Sequence, residues 1–520
     1  MVSLSAVDFI VIALYFAAMI GIGVWSVIKT NTREDYLVAG RRLGFPLFFG
    51  CMAAMAVGGA VTVGGTGKGY QLGIAGAWVG GSLGMGLILL GMLVSSKLNR
   101  LRALSINEVI ERNYGTTARI FGAILTIIYT VALTVVQVVS MGAIVEGIWP
   151  TLGPIYAMIL SGAVVVFYTF LGGMWSVTMT DIVQFVVKTL GIMILVPVFV
   201  LRDKRIGGVS GFIDKVPSSH WNIGAMGGWG TLYWILLYVP GLVIGQDIWQ
   251  RVFTARNDKI AKRGTLLAGL YSILYAFAAV MLGMSVFAAG IKLDRPELVF
   301  EAGVTHFLPM GAAGLLLAAA LAASMSVASG TMLACSTVVY NDIYLRFIKK
   351  QSSGASADPG LSAMERHHAA RSEAVEPASG KHDVWVNRAI AGTLRLAIIG
   401  LSVWITSLGG EPIFKALDLS YGFLSGAVFI PVFAAFILKK VSPRAGLCSL
   451  GASAVAIMVT MTYGETQGDL DFAIGGNWPI IIGMAIGLVT YTVITLADAN
   501  KITPNTEIDE GAVGELPVEV

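Results

Sequence analysis

The chain is 520 residues long, 56% hydrophobic and 13% charged, with a formal net charge of +4. A soluble domain carries about 25% charged residues, so a water-facing globule is excluded and lipid must be the solvent. The small positive balance sits in loops, which argues against nucleic-acid binding. Cys51, Cys335 and Cys448 are too scattered for a disulfide or zinc framework and read as small core residues.

A spanning helix needs about 20 apolar residues. By that measure about thirteen spans are expected, near 7–28, 44–70, 75–96, 120–148, 154–172, 180–201, 228–250, 264–291, 311–345, 388–408, 411–438, 444–463 and 477–497. The first lacks a basic lead and a convincing cleavage site, and reads as a retained helix. Lys97–Arg119 is amphipathic and predicts an interfacial helix. Residues 351–387, with His367 and His368, predict a flexible cytoplasmic linker. The acidic 500–520 stretch predicts a disordered tail. One set of short loops is rich in Lys and Arg, from Lys29–Arg42, Lys97–Arg112, Arg251–Arg263, Arg346–Lys350 and Lys439–Arg444. The positive-inside rule makes that set cytoplasmic, the N-terminus external and the C-terminus internal. A multi-pass protein of the plasma membrane, of the bacterial cytoplasmic type, follows.

Two spans are interrupted. Residues 56–70, AVGGAVTVGGTGKGY, hold six glycines, and 238–246, YVPGLVIGQ, hold Pro240, Gly241 and Gly245. Broken backbone at membrane depth is tolerated where it is buried in protein or lines a cavity. A pair of such spans in corresponding positions of two halves marks a transporter site. Glycines at 73, 76, 80, 81 and 84 read instead as helix-packing positions. Lys188 lies inside the apolar run 181–201, where insertion scales charge about 2.5–3.5 kcal/mol for it. Such a residue is a functional candidate by default.

Several motifs in order resemble the sodium:solute symporter family across nearly the whole chain. They are DYLVAGRRLG (35–44), GTGKGYQLGI (65–74), SINEVIERNYG (105–115), YTFLGGMWSVTMTDIVQ (168–184), GQDIWQRVFTAR (245–256), the Asn341–Tyr344 segment and FILKKVSPRAG (436–446). The resemblance implies an all-α polytopic fold with a LeuT-type 5+5 inverted-repeat core. One helix precedes that core and two follow it. The expected division is 1–43 as the extra helix and its loop, 44–201 as the first repeat and 202–227 as an extracellular loop. Residues 228–438 are then the second repeat, 439–499 the two extra helices and 500–520 the tail. An enzyme is not expected, since no HExxH or paired-Cys pattern is present.

The resemblance places a sodium site on the carbonyls of Ala54, Val57 and Ala323 and at side-chain positions 326 and 327. Ser326 keeps a hydroxyl; Val327 does not, where the family's sodium binders carry Ser or Thr. Sodium, a hard cation, wants several oxygens. Lys188 is a second departure, on the helix that flanks the site. The two are mutually consistent: an ammonium donates to the carbonyls that would hold the ion. The expectation is therefore proton-coupled or sodium-independent transport, with ordinary sodium symport and a structural Lys188 paired with Asp181 or another acid as the alternative. Asp181 reads as an ion-release residue or an interfacial cap. Solute-binding candidates are Val61, Thr62, Gly80, Tyr238, Leu242, Gln246 and Asp418. Lys68 reads as snorkelling to the outer interface, and Glu146 and Asp342 as structural pairs near membrane ends. Val61 and Gly80 stand where the galactose symporter has polar ligands, which argues for a small carboxylate or amino acid. No cofactor is expected beyond the coupling ion, Na+ or H+. The expected partners are the solute and the bilayer, with the monomer as the working unit.

Overall fold

The computed structural model describes residues 4–101, 103–293, 298–348, 381–407, 412–438, 440–498 and 503–504. The linker 351–380, with His367 and His368, and the tail beyond 504 lie outside the described residues. Residues 381–387, expected to close that linker, instead open the helix Lys381–Ser407.

The described chain is mostly helical; its extended pairings are one two-residue antiparallel pair, Lys440–Val441 with Thr503–Pro504, and an isolated parallel bridge between Leu43 and Ala255. Among the described residues, ten helices are long and apolar enough to cross a membrane, or eleven with a bent pair. The thirteen spans expected from the sequence follow only if other runs are divided. Gly173 (φ +53) turns the chain inside Gly153–Lys188. Gly73 (φ +64) separates Gly65–Leu72 from the short turn that leads into Trp78–Leu93. Both positions need positive φ, which glycine alone adopts without steric cost. Gly173 also lies against the Tyr36 backbone, where a Cβ would come within 2.5 Å of the carbonyl oxygen.

The first expected break falls at 57–59. Phe45–Ala56 ends there, with Val57 in an extended conformation, and a π-helical turn Ala60–Gly64 resumes the span. The second falls at Ile244–Gly245, bending Gly227–Val243 against Gln246–Val252 by 44°. Pro240 is held within the helix, so the glycine side of the motif makes the break. Close packing surrounds both. Gly80 abuts Val61 and Ala276, and Gly84 and Gly269 face one another, each with the other's carbonyl 2.6 Å from its would-be Cβ. Gly81 has nothing within 4 Å, so that glycine is not a packing position.

Lys97–Arg119 does not form one interfacial helix. Ser95–Leu101 and Ile106–Tyr114 are separate, the second capped by Ser105 Oγ on the Glu108 amide (3.3 Å). Cys448 is exposed, not a core residue, while Cys51 and Cys335 are buried.

The first helix, Ala6–Ser26, starts at a Ser5–Asp8 capping box. Asp8 Oδ1 also accepts from the amides of Gly311 and Gly314, both at 2.7 Å. It thereby caps Ala312–Val338, whose own N-cap is a glycine with no side chain to do so. Asp8→Ala is therefore expected to cost about 2 kcal/mol, the upper range for a lost N-cap. Thermal unfolding of the purified protein reads this; an unchanged midpoint would show that the cross-helix cap contributes nothing.

Candidate functional site

Lys188 closes the Gly153–Lys188 helix, and the backbone widens into a π-helical stretch, Thr189–Leu195, immediately after it. Its side chain is fully buried. Nζ donates to the carbonyl of Ala54, to the carbonyl of Val57 (3.1 Å) and to Ser326 Oγ (3.1 Å). An ammonium has three N–H groups and no acceptor, and each here meets one oxygen. Ser326 Oγ lies 3.0 Å from both Ala54 O and Ala323 O. Ala54 and Val57 bound the C-terminal end of Phe45–Ala56, where unsatisfied carbonyls and the negative end of the helix dipole favour a cation. Val327 is buried beside them, its Cγ2 2.8 Å from a would-be Cβ of Gly58. Three of the positions named for the ion site, Ala54, Val57 and Ser326, thus meet at Lys188 around the first break; Ala323 joins them through Ser326 Oγ, and Val327 fills the edge with a methyl group.

Asp181 lies seven residues before Lys188 on the same helix, about 10 Å along its axis. It is fully buried and does not pair with Lys188. Its Oδ2 accepts from Arg251 Nη2 (2.9 Å) and Cys51 Sγ (3.1 Å). Arg251, which the sequence places among the loop cations, is 1% exposed. It packs against Gly330, where a Cβ would come within 2.5 Å of its Nη1, so only glycine leaves room. Arg251 Nη1 donates to Asp247 O (3.2 Å), and Asp247 Oδ1 accepts from Tyr129 OH (2.7 Å). Arg251 and Asp247 sit just past the second break, an (i, i+4) pair in Gln246–Val252. That spacing was the available signal; its tertiary partner was not.

A second ionic cluster ties the SINEVIERNYG motif to Asn341–Asp342. Arg119 bonds Asp342 Oδ1 (2.6 Å) and Glu111, Arg346 bonds Glu111 (2.9 Å), and Asn107 and Ser105 donate to Asp342 at 2.9 Å. Asn341 bridges Glu108 and Arg33.

The solute candidates divide. Thr62 Oγ1 is 2.8 Å from Tyr275 OH and bonds Gly58 O (3.0 Å). Val61 and Gly80 pack on each other, and Leu242 is buried against Gly86. Gln246 bonds the Leu104–Ile106 backbone with both ends of its amide, accepting from Ile106 N (2.7 Å) and donating to Leu104 O (3.1 Å). It tethers the second break to the start of Ile106–Tyr114. Asp418 and Tyr238 differ. Tyr233, Tyr238 and Lys68 all lie within electrostatic reach of Asp418. Tyr238 OH is buried and forms no hydrogen bond among the described residues, while Tyr233 is the hydroxyl that interacts with the buried Asp418 carboxyl. Tyr233 is the member of this cluster that the sequence reading missed.

Two broken helices, facing carbonyls at one break and a charged ladder at the other define a multi-pass solute transporter of the LeuT type. The family profile "Sodium:solute symporter family" matches residues 36–360, and the chain belongs to that family. It is 24% identical to the sodium/proline symporter of Haemophilus influenzae, over 86% of this chain and 87% of that one. It is 23% identical to the Escherichia coli sodium/proline symporter, over 95% and 94%. Among solved structures, a Na+-coupled sialic acid symporter in a substrate-bound outward-open state superposes with a TM-score of 0.70 at 17% identity, covering 96% of this chain and 99% of that one. A nucleobase-cation-symport-1 family transporter gives 0.51 at 13% identity, covering 93% and 97%. These likenesses carry the fold.

Proposed function

We propose that this transporter moves a small organic solute by alternating access, with the Lys188 ammonium in place of a bound sodium ion, so that transport is proton-coupled or sodium-independent. The observation that carries this reading is the three-way contact of Nζ with Ala54 O, Val57 O and Ser326 Oγ. Two like unit charges 4 Å apart repel by about 4 kcal/mol at an effective dielectric of ~20. That is roughly three decades in affinity, enough to exclude sodium from oxygens already held by an ammonium. Val327 adds no oxygen to compensate. A proton leaving Nζ would turn one donor into a lone pair facing an acceptor, so deprotonation and release of these carbonyls are linked.

The halves 44–201 and 228–438 are the two repeats that move against each other in this reading. The basic loops face the cytoplasm, the N-terminus faces outward, and the monomer is the working unit. The solute is held at Asp418, Tyr238 and Tyr233, whose buried oxygens suit a solute bearing hydrogen-bond donors, as the ammonium end of an amino acid does. Asp418→Asn is expected to raise the KM for such a solute at least ~10-fold, the scale of one charge-assisted hydrogen bond, with thermal stability kept. An unchanged KM would remove Asp418 from the solute site.

The test is uptake into proteoliposomes, screened over small carboxylates and amino acids, under an imposed proton gradient or an imposed sodium gradient. Accumulation under the proton gradient, or sodium-independent exchange, supports the reading. Accumulation under the sodium gradient alone restores ordinary sodium symport and leaves Lys188 structural.

A further inference from the structure

Arg395 sits midway along Lys381–Ser407. Ala391, Arg395, Ile398 and Ser402, spaced as one helical face, are all buried, while Leu396 (64%) and Trp404 (59%) point away. That face packs on Thr116–Ile148, Gly153–Lys188 and Ala312–Val338; its principal neighbours include neither broken helix. Arg395 is 0% exposed. None of Nε, Nη1 and Nη2 has a hydrogen-bond partner among the described residues. The contrast within the same molecule is sharp. Buried Arg251 has Asp181, and buried Arg119 has Asp342 and Glu111. Arginine does not shed its proton, so Arg395 sets a full charge and five donors in a buried site. A buried charge is tolerated only when a counter-charge offsets its desolvation.

We propose that these four helices hold a small inorganic anion of the chloride class against the Arg395 guanidinium. The site lies behind the breaks, so it is a fixed element of the scaffold and is independent of which ion drives transport. A transported carboxylate is disfavoured by the same placement. Among the described residues the Cys335 thiol is within electrostatic reach of Arg395, and its thiolate is an internal rival for the counter-charge.

The experiment is thermal unfolding of the purified full chain, titrated with sodium chloride against sodium gluconate at constant ionic strength. Equilibrium binding of radioactive chloride is measured beside it. The native midpoint is expected to rise saturably with chloride and with bromide, and bound chloride to be displaced by bromide but not by gluconate. Arg395→Met is expected to lose the response; should that variant fail to fold, the binding measurement on the native protein decides alone. Cys335→Ser is expected to keep the response. Identical native midpoints in chloride and gluconate, with no saturable chloride binding, would overturn the proposal in favour of water or the Cys335 thiolate.

Discussion

Lys188→Met is expected to cut uptake about tenfold or more and to remove its dependence on a proton gradient. The substitution keeps the length of the side chain and removes its charge and its three donors. Ala54 O retains Ser326 Oγ at 3.0 Å, but Val57 O loses its side-chain partner at the break. An orphaned buried acceptor costs about 1–3 kcal/mol, which is one to two decades in a rate or an affinity. Val327→Ser alone is expected to leave transport insensitive to sodium, because the ammonium still occupies the carbonyls. Only Lys188→Ala combined with Val327→Ser presents the carbonyls, Ser326 and a second hydroxyl together. Uptake assays over a range of external sodium and pH check all three. Unchanged uptake and pH profile in Lys188→Met would defeat the assignment.

Arg251→Met is expected to be the most destabilising single change in the membrane core. It removes the only described salt-bridge partner of the Asp181 carboxylate, leaving Cys51 Sγ as its remaining hydrogen-bond donor. Removing one partner of a buried pair costs about 3–5 kcal/mol, whereas removing both is often nearly neutral. Asp181→Asn in the Arg251→Met background is therefore expected to recover most of the loss. Thermal unfolding of the two single variants and the double variant gives the coupling directly. A double variant as unstable as the sum of the singles would show that Arg251 serves something other than Asp181.

Much of this site was legible in the sequence because it is built from local features. The glycine run at 58–59 and Gly245 break helices by backbone chemistry alone, and both breaks formed there. Lys188 stood out because a charge in an apolar run is costly unless something holds it, whether a transport role or a structural ion pair. Its three acceptors followed from the family resemblance, which fixes Ala54, Val57 and Ser326 by spacing. Partner choice was not legible. Arg251 follows the second break and reads as a loop cation until the fold brings Asp181 and Gly330 to it. Gln246 reads as a solute ligand, yet the backbone at 104–106 claims it through a contact 140 residues away. Arg395 is a different omission: the rule that singles out Lys188 applies equally to an arginine in TLRLAIIG, and nothing tertiary was needed to see it.

The most direct measurement is equilibrium binding of radioactive sodium to the purified protein at neutral pH, for the native chain and for Ser326→Ala. The account predicts no saturable sodium binding to the native chain, because the ammonium of Lys188 already holds Ala54 O, Val57 O and Ser326 Oγ. Saturable, stoichiometric sodium binding that is lost in Ser326→Ala would contradict it.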